Sequence, residues 1–454
     1  MEPLRRGRCD WHDRKVSHYH GCDDRRKYPP GVNFKRYENT KVACYGSKVP
    51  KHAESFSDIY IPKVLRYNVE HFGYEKMTPI QKYFIPVALT GRDCMACAET
   101  GSGKTAAFLL PTVSALLRKG CSNSPTALVL VPTRELAQQV FLDARKFCSQ
   151  TFLRTVAIFG GTQTGKHKAR YCDLIVATPG RLIDMVKRRV VDLARVFILV
   201  LDEADRMLDM GFMPQVKELM GLDMPGKQKR QTMMLGATFH REVRTLAKRY
   251  MNDDYVLVTA GNVGGTTENI EQVVERVDDP DKARKLRAFL MNAGCEQSVL
   301  VFANTKKTVR GLHANLSREF SVGMIHGDMS QNSRNSSVLD FSSGRILILI
   351  ATDVLSRGID IPKINYVVNY DMPKRIEDYV HRIGRTGRIG NTGMAVSYFS
   401  VNQDRRISHI LAKHLKNHNQ KVPEWLEDPP PHWVPRSTDS QGTNERESET
   451  YHIN

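Results

Sequence analysis

A glycine-rich loop is the first feature of this sequence whose residue types suit a chemical task. It comprises Ala98, Glu99, Thr100, Gly101, Ser102, Gly103, Lys104 and Thr105, between an apolar run and a helical pattern. Glycines let backbone N–H groups turn inward around phosphate, and a helix N-terminus adds partial positive charge. Lys104 would reach the outer phosphates and the Thr105 hydroxyl would bind Mg²⁺. The spacing therefore predicts a nucleotide-phosphate site, although Ala98 stands where the general pattern has Gly.

Two adjacent carboxylates form the second chemical feature. Asp202 and Glu203 directly follow the apolar run 198–201 and precede Ala204 and Asp205. Ligands of α/β proteins bind at the carboxyl ends of such strands, so Asp202 is suited to hold Mg²⁺ while Glu203 deprotonates the attacking water. Acidic residues also favour the first turn of any helix. The phosphate loop upstream favours the catalytic interpretation.

The elements that must position these residues alternate between short apolar runs and helical patterns. This alternation is typical of parallel sheets covered by helices on both faces. The predicted strands are 94–97, 127–131, 156–159, 174–177, 198–201, 232–235 and 255–258, followed by 298–302, 322–325, 346–350, 366–369 and 395–399. The glycine-rich stretch 261–267 separates the two series. The predicted fold is therefore α/β, with domains at 53–260 and 268–422 joined by a short flexible linker.

The two ends of the chain lack any sustained period and are predicted to be a disordered arm at 1–52 and a disordered tail at 423–454. The arm carries Cys9, His12, His18 and Cys22, which are zinc-ligand types. Their spacing matches no familiar zinc site, so a His-rich arm without metal is the favoured interpretation.

The charge balance favours a polyanionic partner. Lys and Arg number 67 against 49 Asp and Glu, a net charge of +18. The positive charge of the arm and the negative charge of the tail nearly cancel, so most of the surplus positive charge belongs to the folded part. Nucleic acid is the commonest partner of such a basic surface. The nine cysteines are odd in number and lie in apolar stretches, which suits buried thiols in a reducing compartment. No run approaches the about 18 apolar residues of a membrane span.

With Asp202, Glu203, Ala204 and Asp205 in place, residues 56 to about 427 resemble the DEAD-box RNA helicases. Phe56, Tyr74 and Gln81 match that family's adenine-reading segment, in which an aromatic ring stacks on the base and a Gln amide pairs with its edge. Met77 stands where the family usually has Pro. Further stretches of the family occur in order at 132–136, 160–161, 178–181, 236–238, 301–303, 331–334, 351–360 and 381–388. Stretches 28–34 and 200–212 are most similar to the Vasa and Belle-like branch.

The resemblance implies two RecA-like domains and a role for each matching residue. Lys104, Asp202, Glu203, Arg385 and Arg388 are implied to be catalytic, the two arginines reaching the γ-phosphate only when the domains close. Asp360 is implied to accept from the ribose hydroxyls. The residues implied to line an RNA channel are Arg134, Gly161, Thr178, Arg181, Arg334, Thr352 and Asp353. Those implied to couple phosphate chemistry to closure are Gly236, Thr238 and His381.

The function implied is that of an ATP-dependent RNA helicase, with ATP and Mg²⁺ as cofactors, which separates short duplexes locally and remodels ribonucleoproteins. RNA would be held by its backbone, partner proteins would bind the disordered termini, no membrane is involved, and the location would be the cytoplasm, the nucleus or ribonucleoprotein granules. An ATP-gated RNA clamp or scaffold is the alternative, because Gly236 stands where the family has Ser. A DNA-translocating motor fits the two-domain plan but not these motifs.

Overall fold

The computed structural model describes residues 40–99, 101–161, 166–238, 241–261, 270–294, 296–353, 364–387 and 392–427. Most of the predicted arm, most of the predicted linker and most of the predicted tail lie outside these ranges. The zinc-ligand types at Cys9, His12, His18 and Cys22 do so as well. Within the part of the chain that the structure describes, no helix is both long and apolar enough to cross a bilayer.

The first sheet has eight strands, seven of which run parallel. They are β1 (Val42–Tyr45), β2 (Cys94–Ala98), β3 (Ala127–Leu130), β4 (Thr155–Ile158), β5 (Leu174–Ala177), β6 (Ile198–Leu201), β7 (Gln231–Gly236) and β8 (Val256–Ala260). Their order across the sheet is β1-β8-β2-β7-β6-β3-β5-β4. Strands β2, β3, β5 and β6 are buried along their whole length, which explains why their sequences are apolar at every position rather than at alternate ones.

Helices cover both faces of this sheet. They are α1 (Lys63–His71), α2 (Pro79–Leu89), α3 (Lys104–Lys119), α4 (Arg134–Phe147), α5 (Lys166–Arg170), α6 (Pro179–Lys187), α7 (Ala204–Asp209), α8 (Met213–Met220) and α9 (Arg241–Tyr250). One face packs on Phe84, Phe108 and Phe147, and the other on residues that include Leu182 and Leu219. The two apolar layers hold the strand ends in fixed positions.

The second sheet has six parallel strands. They are β9 (Ile270–Arg276), β10 (Val299–Phe302), β11 (Val322–Ile325), β12 (Ile348–Ala351), β13 (Tyr366–Asn369) and β14 (Gly393–Phe399), in the order β11-β12-β10-β13-β14-β9. The helices that follow or separate them are α10 (Lys282–Ala293), α11 (Lys306–Leu316), α12 (Gln331–Ser342), α13 (Ile376–Ile383), α14 (Val401–Asp404), α15 (Ser408–Asn417) and α16 (Glu424–Glu427). Two apolar clusters fill its two faces. Helix α16 corrects the start of the predicted disordered tail at 423–454, because its Leu426 is buried in one of these clusters.

Two strands were not predicted, and one of them corrects the predicted arm. Val42–Tyr45 lies within the stretch 1–52 that was expected to be disordered, but it pairs antiparallel with β8. The first sheet is therefore not purely parallel. Four residues at a sheet edge are too short to give a sequence period, and their partner lies more than 200 residues away. Ile270–Arg276 was missed because its buried residues alternate with polar ones, as in an edge strand, instead of forming an apolar run.

The strand order assigns different tasks to the two halves of the first sheet. The phosphate loop follows β2, Gly236 ends β7, and Asp202 follows β6, and these three strands are adjacent. Strands β3, β5 and β4 occupy the other half, and the residues predicted to contact RNA follow them. Because all of these strands are parallel, both groups lie along one edge of the sheet.

Candidate active site

The phosphate loop is folded around the ammonium group of Lys104. The Lys104 Nζ donates to the carbonyl oxygens of Ala98, at 2.5 Å, and Glu99, at 2.8 Å, and the Ser102 hydroxyl also donates to the Glu99 oxygen. Gly101 and Gly103 have φ of 85° and 89°, which glycine adopts without strain. Burial lowers the pKa of Lys104, against the opposing charges of Asp202, Asp205 and Glu203. A bound phosphate would offer this ammonium an anionic partner in place of two neutral carbonyls.

The paired carboxylates follow β6 as predicted. Asp202 is buried and its Oδ1 accepts from the backbone N–H of Glu203 at 3.1 Å. Burial, and then the charge of Glu203, raise the pKa of Asp202 to about 7. Glu203 has φ 52° and ψ 49°, a left-handed conformation that is uncommon for a residue with a side chain. Its Oε2 is buried and has no hydrogen-bond partner among the described residues, so this oxygen is available to accept a proton.

Asp205 lies in α7, here called the carboxylate helix because it follows Asp202 and Glu203, and links this helix to the segment after β7. Its Oδ2 accepts from the backbone N–H groups of Ala237 and Thr238 and from the Thr238 hydroxyl, each at 3.0 Å. A Cβ added to Gly236 would lie 3.2 Å from the Cγ and Oδ1 of Asp205. On the other side, the Cys97 thiol approaches the Ala237 carbonyl at 3.5 Å. The segment therefore lies between the phosphate-loop strand and the carboxylates, as the strand order requires.

The residues predicted to read adenine lie beside the phosphate loop. Phe56 and Tyr74 form an edge-to-face pair with ring centroids 6.3 Å apart. Gln81 is fully buried; its Oε1 accepts from the Thr78 N–H at 3.0 Å and its Nε2 donates to the Gly103 carbonyl at 3.1 Å. In this structure the Gln81 amide thus connects helix α2 to the phosphate loop. Its contact with a base stays a prediction.

The other half of the edge carries the first domain's predicted RNA contacts. Arg134 begins α4, and its guanidinium lies so close to Gly160 and Gly161 that a Cβ on Gly160 would be 2.6 Å from Nη2. Thr178 precedes α6 at its N-terminus, and Arg181 in that helix pairs with Asp184 at 2.5 Å. The structure brings these residues to one surface, and their RNA contacts stay predictions.

A buried ion pair joins the two domains at this surface. Arg334 of α12 donates through Nη1 to Glu135 of α4 at 2.5 Å, and both side chains are less than a tenth exposed. Gln331, one turn earlier on α12, approaches the same carboxylate at 3.5 Å. Arg334 was predicted to contact RNA, but here its guanidinium binds the first domain. Sequence reasoning missed Glu135, although it lies next to Arg134 in a stretch already recognised.

A second connection between the domains runs through Asp353. Its carboxylate binds the fully buried Arg382 at 2.6 and 2.9 Å, and its carbonyl accepts from Arg206 of α7 at 3.2 Å. Asp353 was predicted to line the RNA channel, but in this structure its carboxylate holds Arg382. Thr352 before it is nearly buried at the end of β12. Arg382 was missed, although it follows His381 directly.

Helix α13 and the turn after it carry His381 and Arg385, the predicted coupling and catalytic residues of the second domain that the structure describes. His381 and Arg385 are buried, and the Arg385 Nε donates to the His381 carbonyl at 3.3 Å. Thr100, Asp360 and Arg388 lie outside the described residues. Their implied roles therefore stay predictions.

The donor set at the first domain's edge fits Mg²⁺. Thr105 and Asp202 offer hard oxygen ligands, and the burial that raises the pKa of Asp202 also leaves its charge in need of a cation. Among the described residues no group of three or more His, Cys, Asp or Glu is placed to hold a metal by itself.

Comparison with known proteins decides the family. Residues 78–246 match the family model described as DEAD/DEAH box helicase, and residues 281–390 match the one described as helicase conserved C-terminal domain. The solved structure of Saccharomyces cerevisiae Dbp5 bound to RNA and ADP BeF3 superposes with a TM-score of 0.71 at 31% identity, covering 82% of this chain and 95% of that one. The chain belongs to the DEAD-box helicase family. Its two α/β domains are therefore RecA-like, as the resemblance predicted.

Within the DEAD-box family, the chain is similar to proteins of the Vasa branch, which confirms that part of the sequence prediction. It is 43% identical over 414 residues to the Mus musculus protein named ATP-dependent RNA helicase DDX4, and 44% identical over 415 residues to a Pelophylax lessonae protein named probable ATP-dependent RNA helicase DDX4. Each alignment covers 88% of this chain. The chain spans 59% and 57% of the length of these two curated relatives.

Replacing Asp202 with Asn should stabilise the nucleotide-free DEAD-box protein at pH 8. The pKa of Asp202 in the folded protein, about 7, lies above the ordinary carboxyl pKa of 3.8. A carboxylate with a raised folded pKa is ionised more easily in the unfolded chain, so the wild-type protein loses stability as the pH rises from about 4 to about 7. We expect the variant to gain on the order of 4 kcal/mol at pH 8, and the gain to shrink towards pH 4.

Urea unfolding at several pH values measures this difference. The exposed Asp281, replaced in the same way, is the matched control and should change little at any of them. Equal stability of Asp202→Asn and wild type at pH 8, or a gain that grows as the pH falls, would contradict the assignment.

Proposed function

We propose that this protein is an RNA-stimulated ATPase that acts as an ATP-dependent RNA helicase. The observation that carries the proposal is the buried, unpartnered Oε2 of Glu203, which lies next to Asp202 and within the electrostatic reach of Lys104. A structural carboxylate in such a place would be expected to have a partner. The names of the DDX4 relatives and the RNA and nucleotide in the Dbp5 structure agree with this function.

Glu203 supplies the base for hydrolysis. It takes a proton from a water molecule as the water oxygen attacks the γ-phosphorus, the bond to the β–γ bridging oxygen breaks, and that oxygen leaves with ADP. Lys104 binds the β- and γ-phosphates. Thr105 and Asp202 would hold Mg²⁺, which when bound neutralises charge on the phosphate oxygens.

Arg385 and Arg388 belong to the second domain and complete the site only when that domain meets the first. Guanidinium groups placed against the γ-phosphate offset the charge that spreads over its oxygens in the transition state. Hydrolysis should therefore be slow when the domains are apart. The contacts of Arg334 with Glu135 and of Arg206 with Asp353 are of the kind that such closure requires.

RNA acts through the same interface. The residues after β3, β5 and β4 and those of α12 face each other across it, so a single strand held by its backbone would bridge both domains and favour their contact. Closure would bend the bound strand. Because a duplex does not follow such a bend, a few base pairs separate. Unwinding of this kind is local and non-processive, and suits ribonucleoprotein remodelling in the cytoplasm, the nucleus or granules. The termini would recruit protein partners.

An ATP-gated RNA clamp is the second candidate, and Gly236 is the observation that favours it. Gly236 lacks the hydroxyl that the family's Ser places beside Asp205. Thr238 still donates to Asp205, so the link between the carboxylates and the segment after β7 is present. The clamp would close on RNA and ATP but open few duplexes for each ATP hydrolysed.

Replacing Glu203 with Gln tests the proposed function. The amide does not accept the proton of water, so RNA-stimulated hydrolysis should fall at least about 10²-fold while ATP and RNA binding persist. Steady-state ATPase assays with and without single-stranded RNA, together with binding of a fluorescent ATP analogue, measure both effects. The control is Glu218→Gln, because Glu218 is an exposed member of a surface ion pair on α8. Hydrolysis at the wild-type rate by Glu203→Gln would rule out Glu203 as the base.

Replacing Gly236 with Ser distinguishes the helicase from the clamp. The new Cβ would lie 3.2 Å from Asp205, so the carboxylate must shift by a few tenths of an ångström, and the hydroxyl would add a hydrogen bond there. We expect duplexes opened per ATP to rise about three-fold, with RNA-stimulated hydrolysis changed less, since one such bond contributes about 1 kcal/mol.

Gly236→Ala is the control for this substitution, because it adds the Cβ without the hydroxyl. An increase with Ser but not with Ala assigns the effect to the hydrogen bond. If neither substitution changes the ratio, Gly236 is a neutral replacement and the clamp loses its support.

A further inference from the structure

An ion pair between two residues with no assigned role joins the ends of α7 and α13, the two helices next to the reacting groups. The Arg375 Nη2 lies 2.8 Å from the Asp209 Oδ1. Asp209 ends α7, the helix that begins directly after Asp202 and Glu203. Arg375 is the residue before α13, the helix that carries His381 and leads to Arg385. The pair thus connects the base on one domain to the arginines on the other.

The burial of the pair shows why it would depend on closure. The Asp209 side chain is only 11% exposed, whereas Arg375 is 47% exposed. A carboxylate that has lost most of its water needs a charged partner, and removing the partner penalises the state in which the carboxylate is buried. When the domains separate, Arg375 moves away from Asp209 in the wild type as well. Removing Arg375 therefore raises the free energy of the closed state more than that of the open state.

Arg375 has a second carboxylate on its own domain. Its Nε lies 3.3 Å from the Glu377 Oε2. Burial acts to lower the pKa of Arg375, but the charges of Asp209, Glu377 and Asp378 outweigh it and raise the pKa. Glu377 remains beside the guanidinium when the domains separate. The arginine is thus held near the start of α13 before it meets Asp209.

We propose that Asp209 and Arg375 are positioning residues that favour the closed arrangement and set α13 against the carboxylate helix. The inference rests on the proposed function and adds to it the contact by which closure is favoured. Exposed ion pairs contribute little to stability. This one lies across a domain boundary with one member largely buried, so it acts on the open–closed equilibrium rather than on folding.

The test uses the single variants Arg375→Ala, Arg375→Lys and Asp209→Asn. It also uses a double variant that exchanges the two charges, in which Asp209→Arg and Arg375→Asp are combined. Arg287→Ala is the matched control, because Arg287 pairs with Glu319 at 2.8 Å, at 54% and 38% exposure, within the second domain. In each variant the RNA concentration that half-maximally stimulates ATP hydrolysis is measured. Energy transfer between dyes on the two domains gives the closed fraction, in the presence of single-stranded RNA and a non-hydrolysable ATP analogue.

We expect Arg375→Ala and Asp209→Asn each to raise the half-saturating RNA concentration about five- to twenty-fold, which is the range of a typical coupling between sites. The closed fraction should fall in parallel. ATP affinity without RNA and the thermal midpoint of unfolding should not change in these variants. The conservative Arg375→Lys should keep RNA stimulation close to that of the wild type. The double variant should recover part of the RNA affinity lost by the single variants. Arg287→Ala should match the wild type.

Equal behaviour of Arg375→Ala and Arg287→Ala would overturn the proposal, as would a fall in the thermal midpoint that accounts for the whole effect. The energy-transfer measurement needs no hydrolysis. If the wild type hydrolysed no ATP with RNA but Arg375→Ala still reduced the closed fraction, the proposed function would fail and the positioning pair would stand. If hydrolysis were stimulated by RNA but neither variant changed it or the closed fraction, only the positioning pair would fail.

Discussion

The groups that would hydrolyse ATP are divided between two sheets, and the rest of the structure depends on the contacts that bring those sheets together. Lys104, Asp202 and Glu203 lie at the edge of the first sheet, and Arg385 follows α13 in the second domain. Among the ion pairs that the described residues form between the two domains, the pair of Glu135 and Arg334 is the most desolvated. Breaking a buried pair without replacing it is costly, so the closed arrangement is either well paired or strongly disfavoured. Such a contact makes an effective switch.

The order of strands explains how one interface would serve the two ligands of the proposed function. Strands β2, β7 and β6 end at the phosphate loop, the Gly236 segment and the carboxylates, whereas β3, β5 and β4 end at the predicted RNA contacts. Helix α4 starts at Arg134 on the RNA half, and its next residue, Glu135, holds the second domain. A ligand on either half thus acts on the same domain contact. In the proposed function, this sharing would give RNA a physical route to the rate of ATP hydrolysis without a path through the sheet core.

The sequence was most informative where local pattern and chemistry agree. The buried strand Ile198–Leu201 was predicted at its true bounds because its continuous apolar run indicates burial on both faces. The position of the carboxylates at the end of this strand was predicted from the same pattern. The strand Val42–Tyr45 was not predictable, because only its distant partner β8 makes it a strand. The same limit applies to the site. Arg334 is in a family motif, but its pairing with Glu135 depends on how the two domains meet. The pairing of Asp353 with Arg382 joins two separate segments of the second domain, and no local spacing encodes either contact.

The central claim is that ATP and RNA each favour the same contact between the domains. The most direct test is the dissociation constant of a short single-stranded RNA, measured with and without a saturating non-hydrolysable ATP analogue and Mg²⁺. The account predicts that the analogue tightens RNA binding by at least about ten-fold, a coupling that RNA must return to the analogue by the same factor. Equal RNA affinity in the two conditions would contradict it, because two ligands that share a closing contact do not bind independently.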